Sequence, residues 1–160
     1  MAIKAGDQVP DVKLTEMTEG RPSQVSLAEL SRGKRVVVFA VPGAFTPTCS
    51  LKHLPGFVEQ AAAIRQKGVD EVACLSVNDA FVMDAWGKHS NASGKVRMFA
   101  DGNGEFTRAM GLALDASGFG MGERSQRYAM ILRDGKVEAL LVEPGPGLSA
   151  SSAEAVLAKL

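Results

Sequence analysis

The sequence predicts an α/β fold with a central mixed β-sheet flanked by helices, built as one domain over residues 1–160. Three observations carry that expectation. The apolar runs at 36–41 and 71–77 have the pattern of strands covered on both faces. Each is followed by a stretch of helical periodicity, 48–66 and 80–88, the alternation found in parallel-sheet folds. Near the C-terminus, Arg133-Asp134-Gly135 separates two strand-like runs, which is a hairpin signal and adds an antiparallel pair.

Taken in order, residues 9–17 read as an early strand and Thr18-Glu19-Gly20-Arg21-Pro22 as a polar turn. Ser26-Leu27-Ala28-Glu29-Leu30 has the composition of a short helix, with Ser26 or Ser23 near its cap. In 48–66, Leu51, Leu54, Val58, Ala61, Ala62 and Arg65 make a mostly helical stripe. Pro55 should kink that helix about two turns in, and Gly68 should end it. Asn78-Asp79 offers a cap for the helix at 80–88. Residues 96–100 are a third strand, followed by the turn Asp101-Gly102-Asn103-Gly104 and a short helix at 105–110. The three glycines of 117–122 mark a loop. The hairpin strands are 127–132 and 136–143, and the irregular connector Glu143-Pro144-Gly145-Pro146-Gly147 leads to a closing helix at 151–160, capped by Ser151 or Ser152. This order fits a thioredoxin-like fold, although periodicity alone does not separate it from a flavodoxin-like one.

Composition excludes several classes of function. Eighteen basic residues balance eighteen acidic ones, and aromatic residues make up only 6% of the chain, so neither charge nor stacking supports nucleic-acid binding. No apolar run approaches the ~20 residues that span a bilayer. Two cysteines outside any CxxC motif, with two histidines elsewhere, make neither a disulfide framework nor a zinc site, so no metal is expected. The opening residues lack the pattern of a targeting segment, and the expected setting is a reducing cytoplasm.

The chemistry concentrates where the first buried strand ends. Pro42-Gly43-Ala44-Phe45-Thr46-Pro47-Thr48-Cys49-Ser50 turns out of the strand and delivers Cys49 to a helix N-terminus. Unpaired N–H groups and the helix dipole favour negative charge there, and hence the nucleophilic thiolate. Thr46 and Thr48 place hydroxyls within a turn of the sulfur. Pro42 and Pro47 stiffen the approach, and Gly43 leaves room for a ligand to meet backbone N–H groups. Such a site suits a small oxygen-bearing substrate.

This nonapeptide resembles the active-site loop of the peroxiredoxins, in the form of the type II (peroxiredoxin-5-like) branch, with Pro-x-x-x-Thr-x-x-Cys falling on Pro42, Thr46 and Cys49. Lys52-His53-Leu54-Pro55-Gly56-Phe57, residues 74–82 and residues 124–130 extend the likeness over most of 5–160. The resemblance implies a thiol peroxidase with a thioredoxin-like fold, no cofactor, and hydrogen peroxide and alkyl hydroperoxides as substrates. Cys49 would attack one peroxide oxygen and become a sulfenic acid. Thr46 would hydrogen-bond the peroxide, the amides of Gly43 and Cys49 would position it, and Pro42 would shield the sulfenate. The family's arginine falls on Arg124, with Arg127 as a supporting or structural residue at a strand start. The resemblance also implies a homodimer.

Two residues bear on recycling and proton transfer. Cys74 sits among interior strand residues, so a buried, inert thiol is the default and a resolving role the alternative. Some relatives resolve the sulfenate with a cysteine in the stretch matching Leu148-Ser149-Ala150-Ser151, where this chain has Ala150. The expected reductant is therefore an external thiol, glutathione with glutaredoxin, or thioredoxin. His53, four residues beyond Cys49, is weighed as a catalytic partner, with packing or a capping-type hydrogen bond as its simpler role. His89 reads as solvated. The alternative to a peroxidase is a redox relay that passes oxidation from Cys49 to a client protein.

Overall fold

A computed structural model describes residues 2–160. Its strands are β1 (Lys13–Thr18), β2 (Arg21–Ser26), β3 (Arg35–Val41), β4 (Glu71–Ser76), β5 (Arg97–Ala100), β6 (Ala113–Asp115), β7 (Glu123–Ser125), β8 (Tyr128–Arg133) and β9 (Lys136–Val142). The α-helices are α1 (Leu27–Leu30), α2 (Leu54–Gln66), α3 (Ala80–His89), α4 (Glu105–Met110) and α5 (Ala153–Leu157). Seven strands form one sheet in the order β2-β1-β5-β4-β3-β8-β9, and β6 and β7 form a separate ribbon. β3, β4 and β5 run parallel, while β8 pairs antiparallel with both β3 and β9. The sheet is therefore mixed, with β3 at the seam between its parallel and antiparallel parts.

The alternation along β3 divides the interior in two. Val37, Phe39 and Val41 join Leu54, Phe57 and Ile64 of α2 and Met83 and Trp86 of α3 on one face. Val36, Val38 and Ala40 join Phe106 and Met110 of α4 on the other. Every β3 residue from Val36 to Val41 is fully buried, which is why the run shows no polar alternation. Among the described residues, no helix is long and apolar enough to cross a membrane.

Several elements differ from the sequence reading. β1 begins at Lys13, and the polar stretch after it forms an antiparallel partner that pairs with it residue for residue over six positions, from Lys13↔Ser26 to Thr18↔Arg21. Its Pro22 is tolerated because β2 is the sheet edge, where a missing N–H faces no further strand. β6 and β7 bracket the 117–122 loop, which includes a 3-10 turn at Ser117–Phe119. The closing helix is short and capped by Ser152. Pro55 does not kink a continuous α-helix. The chain instead makes a π-helical turn at Cys49–His53, in which the Leu54 N–H reaches the Cys49 carbonyl, and Pro55 lies in the first turn of α2. Proline there removes an N–H at the widened turn, where the regular ladder is already broken.

Candidate active site

The site forms at the carboxyl ends of the parallel strands β3 and β4, beside the antiparallel strand β8. Val41 ends β3, and the chain turns through 42–46 before the helical turn that begins at Pro47. The first bond of that turn is donated by the Ser50 N–H to the Thr46 carbonyl, at 2.8 Å. Pro47, at the first helical position, has no N–H to leave unpaired. Cys49 is thereby set in the opening turn of the helix and is fully buried.

Side chains from other elements hold this loop. Asn78, just beyond β4, accepts the Ala44 N–H at 3.0 Å and the Ser76 hydroxyl at 2.6 Å. The neighbouring Asp79 caps α3 through the Val82 N–H. Trp86 donates its indole N–H to Ser50 Oγ at 2.9 Å, tying α3 to the residue after the cysteine. Phe45 takes a left-handed φ of 64°, a conformation that costs a non-glycine residue energy and requires surrounding support. Its exposed ring lies near Trp86 and His89.

Thr46 donates its hydroxyl proton to the Gly43 carbonyl at 2.7 Å. The donor is thus occupied, and the oxygen's lone pairs are free to accept a proton donor near Cys49. Gly43 is buried, and a Cβ there would come within 3.1 Å of Met121 Cε and of Thr46 Cγ2. A side chain at this position would press on Thr46 and Met121. Pro42, half-buried, joins the end of β3 to this glycine.

The guanidinium on the sulfur belongs to Arg127, a correction to the assignment of Arg124. Arg127 Nη2 donates to Cys49 Sγ at 3.2 Å, and Nη1 donates to His53 Nδ1 at 2.9 Å. Arg124 donates to the carbonyls of Met121 and Val77 and packs beside Gly43, so it braces the loops around the site rather than the thiol. The reason lies in strand parity. Arg127 alternates with Ala129 and Ile131, which face the cluster that contains Cys49, whereas Arg124 belongs to the separate β6–β7 ribbon.

His53 has a definite role in this arrangement. Its Nε2 lies 2.9 Å from the Ser151 carbonyl, which can only accept, so that nitrogen carries the proton. Its Nδ1 then has the lone pair that Arg127 needs. Burial, opposed by the Ser151 bond and reinforced by the Arg127 charge, lowers the pKa of His53 to about 4. The neutral ring therefore orients the guanidinium, and it also packs beside Phe39, which stacks on Phe57. His89 is exposed.

Cys74, on β4 opposite Phe39, is fully buried on the same side of the sheet as Cys49. Burial pushes its thiol well up, and the neighbouring Cys49 adds to this. Both cysteines are free thiols. Among the described residues no cluster of His, Cys, Asp and Glu could hold a metal ion.

This arrangement resembles those of known proteins throughout its length. The Redoxin family model matches residues 4–157. Peroxiredoxin-2B of Arabidopsis thaliana is 48% identical over 159 residues, covering 99% of this chain and 98% of the relative. The chloroplastic peroxiredoxin-2E of the same plant is 47% identical and is covered to 70% of its length. Among solved structures, reduced Prx3 of Vibrio vulnificus in complex with hydrogen peroxide superposes with a TM-score of 0.94 at 49% identity, with 98% of each chain covered. Peroxiredoxin 5 of Alvinella pompejana gives 0.84 at 37% identity, covering 98% of this chain and 96% of its own. The chain belongs to the Redoxin family and is a type II peroxiredoxin of the thioredoxin-like superfamily, a thiol-dependent peroxidase.

Proposed function

We propose that this peroxiredoxin reduces hydrogen peroxide and small alkyl hydroperoxides at Cys49 and is recycled by an external thiol. The observation that carries the site assignment is the 3.2 Å bond from Arg127 Nη2 to a fully buried Cys49 sulfur. A buried nucleophile admits a small, slim substrate. The thiolate attacks one peroxide oxygen, an S–O bond forms, and the O–O bond breaks. The departing oxygen takes up a proton and leaves as water or an alcohol, while Cys49 becomes a sulfenic acid. Arg127 stabilises negative charge on sulfur and on the leaving oxygen. Thr46 accepts a peroxide proton because its own is committed to Gly43.

Recycling begins when a reduced thiol attacks the Cys49 sulfenic acid and releases water. A second thiol then attacks the resulting mixed disulfide and restores the Cys49 thiolate. Glutathione with glutaredoxin, or thioredoxin, supplies those two thiols. Cys74 is ill suited to the role, since burial disfavours the thiolate it would need. An external reductant requires the buried sulfur to emerge, and the π-helical turn at Cys49–His53 is the segment that must open. A homodimer formed around the site would cover exposed apolar side chains such as Phe45, Leu51, Phe81 and Phe119. The thiol-driven cycle fits a reducing cytoplasm.

The test is stopped-flow oxidation of the reduced protein with one equivalent of hydrogen peroxide, a sulfenate trap and an intact-mass readout. Fast oxidation confined to Cys49, lost in Cys49→Ser and leaving Cys74 alkylatable, supports an enzyme awaiting an external thiol. A Cys49–Cys74 linkage would keep the peroxidase and overturn the recycling route.

A further inference from the structure

We infer that Glu143 is a positioning residue for the peroxidatic reaction. It anchors the 149–151 turn that orients His53, and through His53 it fixes the Arg127 guanidinium on Cys49.

Glu143 immediately follows β9, whose register places Val142 opposite Tyr128. Continuing that ladder sets Glu143 across from Arg127, and the Glu143 N–H donates to the Arg127 carbonyl at 3.0 Å. The two charged side chains do not meet. The carboxylate instead accepts four bonds from the connector that leads to α5. Ser149 donates its N–H at 3.0 Å and its hydroxyl at 3.1 Å. Ser151 donates its N–H and its hydroxyl, each at 2.7 Å. A carboxylate with these partners pins an otherwise irregular segment, and only an ionised acid can accept from all four.

The pinned residue is the one that matters to the site. The Ser151 carbonyl accepts the hydrogen bond from His53 Nε2–H, which leaves Nδ1 as an acceptor for Arg127 Nη1 and directs Nη2 onto the sulfur. The contacts therefore close a ring: Glu143, Ser151, His53, Arg127, and back to Glu143 through the β8–β9 ladder. A guanidinium on a long side chain has many rotamers, and the ring selects one. Glu143 is buried, and its carboxylate bonds go to Ser149 and Ser151 rather than to Cys49, so its effect on the sulfur runs through Ser151, His53 and Arg127.

Glu143→Gln tests this, because the amide keeps the size but puts an NH2 where an acceptor is required. The readout is the second-order rate constant for Cys49 oxidation by hydrogen peroxide. Changing the outer partner of a metal-bound histidine typically costs about 10- to 100-fold. His53 orients a guanidinium rather than a metal, and a loss of roughly tenfold is expected. The same substitution made on top of Arg127→Gln should cost nothing further. An NMR readout needs no turnover: in an exposed-histidine knockout, His89→Gln, the remaining ring is His53, and its nitrogen shifts report the Nε2–H tautomer. Adding Glu143→Gln should shift that tautomer population. If Glu143→Gln does not fold, Ser151→Ala removes one of the four bonds and should slow oxidation by roughly threefold, again only when Arg127 is present. A Glu143→Gln rate within twofold of the parent, or an equal loss in the Arg127→Gln background, overturns the inference. Failure of the parent protein to oxidise at Cys49 would be a failure of the peroxidase reading, and the His53 spectrum would still decide the role of Glu143.

Discussion

Exchanging each of two arginines for glutamine separates their roles. Arg127 Nη2 lies 3.2 Å from the Cys49 sulfur. Unit charges at that distance attract by about 5 kcal/mol at the effective dielectric of about 20 that suits partly buried sites. Part of this is offset because a half-buried guanidinium gives up some of its hydration, and part acts equally before and at the transition state. About 3–4 kcal/mol remains for charge on sulfur and the departing oxygen, which corresponds to a loss of roughly 10²- to 10³-fold in rate. Arg124→Gln removes two bonds, to the Met121 and Val77 carbonyls, at 2.8 and 3.0 Å. It should lower the midpoint of thermal unfolding by loosening the loops around Gly43, and slow oxidation by no more than about fivefold. Stopped-flow oxidation of reduced protein over a range of peroxide concentrations gives both constants, and calorimetry gives both midpoints. If Arg127→Gln stays within tenfold of the parent, or Arg124→Gln is as slow as Arg127→Gln, the site has been built on the wrong arginine.

Four further outcomes are expected. Because the folded-state pKa of His53 is lowered from 6.5 to about 4, the unfolded chain binds the extra proton first. Its contribution to stability is complete above about pH 6.5 and is lost as pH falls toward 4, on the order of 3 kcal/mol; urea midpoints across that window should flatten in His53→Gln. Below it, Glu143 takes over. Burial alone would raise its pKa, but the Ser151 hydroxyl and the N–H groups of Ser149, Ser151 and Ala150 outweigh burial and hold it at about 2, so its stabilisation is lost between pH 4.5 and 2 and that loss should vanish in Glu143→Gln. Trp86→Phe forfeits the bond to Ser50 Oγ and should cost about 1–2 kcal/mol by denaturant titration; as the chain's one tryptophan, Trp86 should also change its emission when Cys49 is oxidised. Cys74→Ala should leave the first oxidation of Cys49 within twofold while lowering the unfolding midpoint, since it removes a buried sulfur that makes no hydrogen bond to Cys49, His53 or Arg127.

The parts of the fold legible in the sequence are those whose burial is written into consecutive residues. β3 and β4 are buried on both faces and so appear as unbroken apolar runs, and the Asp134-Gly135 turn announces the β8–β9 hairpin. β2 was hidden because Arg21 to Gln24 are exposed edge residues, held in line only by the ladder with β1. β6 and β7 are three-residue strands on either side of a glycine-rich loop, too short to show a period. The π-helical turn left one faint mark in Pro55, which signals a missing N–H but not whether the helix bends or widens there.

The site divides along the same line. Pro42 through Cys49 is one continuous segment, and a local motif can be read locally. His53 follows the motif closely enough to be read with it, but Arg127, Glu143 and Ser151 lie far along the chain and reach it only through the β3–β8–β9 pairing and the connector after it, so proximity to the motif favours none of these three. A signal for Arg127 nevertheless existed. Phe39 pairs with Ala129 and Ala40 with Tyr128, so the residue before Tyr128 falls opposite Val41, where the active-site loop begins. Alternation then puts Arg127 on the face shared by Phe39, Val41 and Cys49. The same arithmetic in the hairpin places Glu143 across from Arg127. Two registers, each set by a buried apolar pattern, thus determine which arginine can reach the sulfur and which carboxylate stands behind it. The cation on the sulfur is a consequence of how the sheet is assembled: a one-residue slip of β8 against β3 would turn Arg127 to the opposite face and leave Cys49 without it, and a slip of β9 against β8 would take Glu143 from its place across from Arg127.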